Sequence, residues 1–189
     1  MRPILIVVLL FVSGCRHVGP DLIQQEKKYW CWAASGQMIM EFYGHDVSQR
    51  TQADDSPKNF VAGQKQHDCI TQPELCNWTS YPQFQIYPQN SDRTFSVVSR
   101  PQGLHLPYEA LRTILCYDGC RCNPLAFQAD RHMMVALEAR KTWRGEHQVY
   151  VLDPGPWPDG ASAGWIKYWE YRGIERSLHV DIYNIKPPQ

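Results

Sequence analysis

The chain has 189 residues, enough for one domain whose core does not depend on disulfides. Nineteen basic side chains balance nineteen acidic ones, so the formal net charge is zero and neither nucleic acid nor a strongly charged partner is indicated. Twelve glycines, fourteen prolines, seven Trp, ten Tyr and six Phe point to a loop-rich mixed fold and away from a helical bundle or coiled coil.

Residues 1–14 stand apart from the rest. Arg2 precedes the apolar run Ile4 to Phe11, and Val12-Ser13-Gly14 follows, which is the charged, apolar and small-residue order of a secretory signal. The apolar run is too short to span a bilayer as a helix. Small residues directly before Cys15 resemble the lipobox of bacterial lipoproteins. That resemblance implies removal of residues 1–14 and a lipid on Cys15, which would tether the chain to a membrane of the bacterial cell envelope, at the periplasmic face or cell surface; secretion is the variant of this expectation. Residues 15–23 read as a tether and 24–189 as the domain.

Gln24-Gln25 leads into Tyr29-Trp30-Cys31-Trp32. From Cys31 onward Ala34, Met38, Ile39 and Phe42 recur at helical spacing and Gly44 marks a stop, so a helix is expected over 31–43 with Cys31 in its first turn. There the unpaired N–H groups and the positive end of the dipole favour a thiolate. Residues 44–103 are polar and weakly periodic, and read as an irregular excursion with short helices. Cys69 and Cys76 bracket a short Pro-containing loop there and form the favoured disulfide pair of an oxidising compartment; Cys120 and Cys122 are the other candidates, with Cys116 left over on a helix. Cys120-Arg121-Cys122 lacks the spacer of a zinc knuckle, so no metal is expected.

Leu104, Tyr108, Leu111, Ile114 and Leu115 share one helical face, with Pro107 suited to the first turn and Gly119 to the stop. Strands are expected over 124–127, 132–137 and 147–152, the last two joined as a hairpin through 141–146, and a final half-buried strand over 178–185. The segment 164–169 suits helix or strand. A helix early, an excursion and an antiparallel sheet late make an α+β plan, with the Cys-bearing helix packed on the C-terminal sheet.

On that plan His132 opens one strand and Asp153 closes its antiparallel neighbour, so the two can meet although 21 positions apart. A thiol, an imidazole to take its proton and a carboxylate to hold the imidazole's tautomer are the parts of nucleophilic catalysis. Gln25 can add an oxyanion donor beside the Cys31 N–H, and no cofactor is called for.

Gln25-x5-Cys31-Trp32-Ala33-Ala34, His132-Met-Met-Val and Val151-Leu-Asp153-Pro154 together resemble the papain-like cysteine peptidases, and in particular the bacterial group that includes avirulence-effector proteases of plant pathogens. The likeness covers about residues 24–43 and 104–155. It implies a papain-like fold, a peptide or protein substrate, and the roles of nucleophile for Cys31, general base for His132, orienting group for Asp153 and oxyanion donor for Gln25. The chain departs from papain's Cys-Gly-Ser-Cys-Trp signature, carries Asp where papain uses Asn, and has Arg131 where a small residue usually precedes the histidine. The same acyl-enzyme can pass its acyl group to an amine, as in a transpeptidase, amidase or deamidase. A scaffold of this kind can also serve as a silent binding module, with the excursion as its contact surface.

Overall fold

A computed structural model describes residues 19–87, 95–100, 105–115, 123–155, 159–173 and 179–184. The signal, Cys15, Leu104, Cys116, Gly119, Cys120 and Cys122 lie outside them.

The first helix, α1, spans Cys31–Phe42. Trp32, Ala33, Ala34, Met38, Ile39 and Met40 are all buried, so the helix is covered nearly all round and not only along the stripe seen in the sequence. It ends through paired bonds from the Gly44 N–H to the Glu41 carbonyl (2.8 Å) and from the His45 N–H to the Met40 carbonyl (2.9 Å). Gly44 takes φ +84° to close this Schellman motif, where a side chain would be strained.

The excursion is more ordered than its composition suggests. Helix α2 (Gln49–Asp55) is capped by the Ser48 hydroxyl, which accepts from the Thr51 N–H, and a small hairpin pairs β1 (Phe60–Val61) with β2 (Gln64–Lys65). Its interior is held by buried amides. Gln52 donates to the Ala33 carbonyl of α1 at 2.8 Å, and Asn59 donates to the carbonyls of Asp54 and His67. A disulfide joins Cys69 to Cys76, with their Cα atoms 5.6 Å apart.

The remaining strands form one antiparallel sheet in the order β3-β8-β4-β5-β6-β7: β3 (Phe95–Arg100), β4 (Leu125–Ala129), β5 (His132–Lys141), β6 (His147–Asp153), β7 (Ser162–Lys167) and β8 (His179–Asn184). Strand alternation sorts the side chains onto two faces. Ala126, Met133, Val135, Leu137 and Leu152 pack with α1 in one core. Leu125, Phe127, Ala136, Val149 and Val151 face the other way, toward α3 (Tyr108–Leu115) and the short α4 (Tyr168–Arg172), in a second core. A bulge between Ala136 and Glu138 shifts the β5–β6 register by one, which lets Ala139 rejoin the second core.

Three features differ from the sequence reading. Strand β3 was not expected, because its partner β8 lies far along the chain and Phe95-Ser-Val-Val-Ser-Arg100 shows only weak alternation. The segment 164–169 resolves into strand and then helix, breaking at Lys167-Tyr168. Residues 19–23 are not a free tether: Pro20 is buried, Ile23 packs on the first core, and a Cβ on Gly19 would lie 3.0 Å from Leu137 Cδ1. The Cys69→Ala/Cys76→Ala variant is expected to lose about 2–3 kcal/mol in urea unfolding, the cost of opening a short cross-linked loop.

Candidate active site

Cys31 occupies the first helical position of α1, behind Trp30, and no side chain caps the helix. Its own N–H and those of the next residues therefore have no intrahelical acceptor. The two flanking indoles hold this turn in place. Trp30 Nε1 donates to the Cys76 carbonyl at 2.7 Å and Trp32 Nε1 to the Trp78 carbonyl at 3.0 Å, while the Tyr29 N–H reaches Asn77 Oδ1 at 3.0 Å. Both tryptophans are buried, so three successive residues of the excursion clamp the cysteine's neighbours. Trp32 thus ties α1 to the excursion while also sharing the first core with sheet residues such as Met133 and Val135.

His132 is aimed by a tight turn. Ala129 pairs with His132 across a two-residue loop in which Asp130 and Arg131 both take positive φ, 52° and 69°. Asp153 comes from the next strand over. Because Val135 pairs with Leu152, Asp153 falls opposite Met134 and diagonal to His132 on the same face. The diagonal pair closes to 2.7 Å between His132 Nε2 and Asp153 Oδ1. A carboxylate accepts, so Nε2 carries the proton and Nδ1 is left for the interaction with Cys31.

The turn Asp153-Pro154-Gly155 serves both the carboxylate and Gln25. Asp153 Oδ1 also accepts from the Gly155 N–H at 2.8 Å, and the Pro154 carbonyl accepts from the Gln25 N–H at 3.0 Å. Gly155 has φ +101°, and a Cβ there would sit 2.3 Å from the Gly160 carbonyl oxygen, so only glycine fits. From the other side the buried Gln49 amide accepts from the Glu26 N–H and donates to the Gln24 carbonyl, at 2.8 and 2.9 Å. Gln25 itself is buried, and its side-chain Nε2 donates to the carbonyls of Lys27 and Lys28, both at 3.0 Å. Two carbonyl partners fix which end of the amide is nitrogen, and Oε1 is buried without a partner. Both donor hydrogens expected for an oxyanion are therefore committed to the loop that leads into α1.

The electrostatics of the pair follow from its geometry. Burial pushes the His132 imidazolium pKa down, but hydrogen bonds and charge from Asp153 and Cys31 outweigh it and raise the value from 6.5 to about 9. Burial likewise pushes Asp153 up, and the His132 hydrogen bond and charge, with the Gly155 N–H, hold it below the usual carboxylate range. The protein thus favours imidazolium and carboxylate together.

Cys31 is only 7% exposed and lies in a cavity of about 300 Å³. Lys58, Thr79, Ser80 and Tyr81 of the excursion form one side, and Gln128, Arg131 and Met133 of the β4–β5 hairpin another. The side chain of His132 keeps 34% of its surface accessible. Among the described residues no group of three His, Cys, Asp or Glu side chains is placed to hold a metal ion. No helix there is long and apolar enough to cross a membrane. Sequence reasoning singled out Cys31, His132, Asp153 and Gln25; the structure hydrogen-bonds His132 to Asp153, places Cys31 within electrostatic reach of His132, and buries Gln25 in the loop that leads to Cys31. It did not find the buried amides Gln49 and Gln52, because polar residues on a short helix read as solvent-facing.

The His132 shift makes stability depend on pH. A raised imidazole pKa stabilises the fold fully below 6.5, and that contribution is lost as pH rises to about 9. Asp153 acts in the opposite sense, stabilising above its ordinary 3.8 and losing the effect as pH falls through the lowered value. In urea titrations the decline in unfolding free energy between pH 6.5 and 9 is expected to flatten in His132→Gln.

No family model matches the sequence, and no curated protein matches it. Solved structures with a similar fold include UfSP from C. elegans, with a TM-score of 0.54 and 14% identity over 95% of this chain and 36% of that one. A double glycine motif protease from an AMS/PCAT transporter, solved with its leader peptide, superposes with a TM-score of 0.43 at 14% identity, covering 89% of this chain and 94% of that one. The peptidase domain of Streptococcus ComA, a bifunctional ABC transporter, gives 0.44 at 14% identity over 92% and 100%. This chain spans little more than a third of the UfSP chain. The likeness to UfSP concerns the fold: a mixed α+β architecture with N-terminal helices and an antiparallel sheet, matching papain-like peptidase folds.

Proposed function

We propose that the chain is a cysteine peptidase that cleaves peptide bonds through an acyl-thioester on Cys31. The observation that carries this reading is the position of His132, hydrogen-bonded to Asp153 at 2.7 Å and close enough to Cys31 for the two to interact electrostatically. In this scheme His132, an imidazolium below about pH 9, already holds at Nδ1 the proton given up by Cys31, and the sulfur attacks the peptide carbonyl carbon. Asp153, accepting at Nε2, keeps the imidazole in the tautomer that can receive that proton and stabilises the imidazolium. The developing oxyanion meets the Cys31 N–H and the positive end of α1. His132 then protonates the leaving amine, the acyl group stays on sulfur, and a water activated by His132 releases the acid.

Gln25 joins this scheme as a second oxyanion donor when substrate draws one of its N–H groups from Lys27 or Lys28. Until then it holds the loop that presents Cys31. We further propose that the chain works in the oxidising bacterial envelope, lipidated on Cys15; the Cys69–Cys76 bridge supports that compartment.

With a fluorogenic peptide library, Cys31→Ala is expected to abolish turnover and His132→Ala to reduce kcat/KM by at least about 10³-fold. Undiminished cleavage by Cys31→Ala contradicts the reading. In a bacterial host fed an alkyne fatty acid, the wild-type chain is expected to take up the label and Cys15→Ser to lose it; equal labelling of both excludes Cys15 as the lipidated residue.

A further inference from the structure

The cavity that holds Cys31 carries a charge that the reaction scheme does not use. Two of its lining residues are cationic, Lys58 and Arg131, and none is acidic. Around the excursion the other basic side chains are paired: Arg50 with Glu26 at 2.8 Å, Lys65 with Asp54, and Lys27 with Glu74 at 3.9 Å. Lys58 and Arg131 have no ion pair among the described residues. Both cations of the cavity wall thus stand without a counter-charge beside the sulfur, as no acidic residue lines that space.

Arg131 adds an independent sign. It sits at φ +69° in the β4–β5 turn, a left-handed conformation that glycine or asparagine fills with less strain than an arginine. Placing a guanidinium there costs stability, and its result is a planar, five-donor cation directly before His132 and inside the cavity. The backbone of Lys58 is held in place: its N–H donates to the Ser56 hydroxyl, and the amide of the next residue, Asn59, donates to two carbonyls. One cation comes from the excursion and the other from the sheet, and the hydroxyls of Thr79 and Ser80 line the same space. The cavity is small enough that anything bound in it lies within a side chain's length of Cys31.

We infer that this cleft selects substrates with a carboxylate side chain flanking the bond to be cut, held between Lys58 and Arg131. The inference rests on the peptidase reading above. The guanidinium offers a bidentate grip on the carboxylate and the ammonium a point charge, with neither group in an ion pair among the described residues.

The test uses the full chain and matched peptides that carry Glu, Gln or Lys at each position flanking the scissile bond. At one position Glu is expected to exceed Gln about fivefold in kcat/KM, the range of a partly exposed ion pair. That Glu:Gln ratio is expected to fall in Lys58→Gln and Arg131→Gln, to approach one in the double variant, and to survive in Arg131→Lys. Equal cleavage of Glu and Gln peptides at every position, or a preference that persists in the double variant, overturns the inference. A second measurement does not require turnover: the rate of Cys31 alkylation by anionic iodoacetate relative to neutral iodoacetamide. The ratio is expected to exceed that of free cysteine and to drop in the double variant. If no peptide is cleaved but this ratio behaves as stated, the peptidase reading fails while the anion-selective cleft stands; an unchanged ratio sinks the cleft proposal itself.

Discussion

The interaction of His132 with Cys31, and its hydrogen bond to Asp153, join the first helix of the fold to a hairpin formed much later in the chain, and most of the structure is concerned with keeping that junction aligned. A hydrogen bond involving a charged partner contributes about 1.5–3 kcal/mol when its geometry is right, and little when an element slips by an ångström. The alignment is therefore held on both sides by groups that take no part in the chemistry. On the helix side, the Trp30 and Trp32 indoles bond to the carbonyls of Cys76 and Trp78. On the sheet side, the Asp130-Arg131 turn and the Gly155 N–H set the directions of His132 and Asp153.

This arrangement gives the excursion a task that its composition conceals. Beside the apolar contacts that Val47, Ala53, Phe84 and Tyr87 make in the first core, the segment is organised by amides that replace solvent for backbone groups. Gln49 spans Gln24 and Glu26, Gln52 reaches the Ala33 carbonyl, and Asn59 ties Asp54 to His67. Removing such an amide strands buried donors or acceptors, at about 1–3 kcal/mol each. Gly36 is part of the same packing: a Cβ there would lie 2.2 Å from Gln52 Oε1, so the Gln52 amide can hold its present place only beside a position without a side chain. The Cys69–Cys76 bridge closes the segment whose carbonyls receive the indoles.

Much of the fold was legible in the sequence because its signals are local. The 3.6-residue spacing of Ala34, Met38, Ile39 and Phe42 marks α1, and the apolar runs at 132–137 and 147–152 with a Gly-containing connection mark a hairpin. Antiparallel geometry alone then puts the start of one strand beside the end of the other, and so His132 beside Asp153. What escaped depends on contacts distant in sequence. The pairing of β3 with β8 has no local signature, and an amide such as that of Gln49 or Gln25 looks the same whether it faces water or a buried carbonyl. Packing of residues 19–23 on the core depends on Gly19 meeting Leu137, which no pattern within 15–23 announces.

The proposed chemistry stands on the coupling of Cys31 to His132, and the pH profile of Cys31 alkylation by iodoacetamide reads that coupling directly. In the wild-type chain, alkylation is expected to be fast at neutral pH and to change again near pH 9 as His132 deprotonates. In His132→Ala the same reaction is expected to be slow at neutral pH and to lack the step that His132 contributes. Identical profiles for the two proteins would contradict the account.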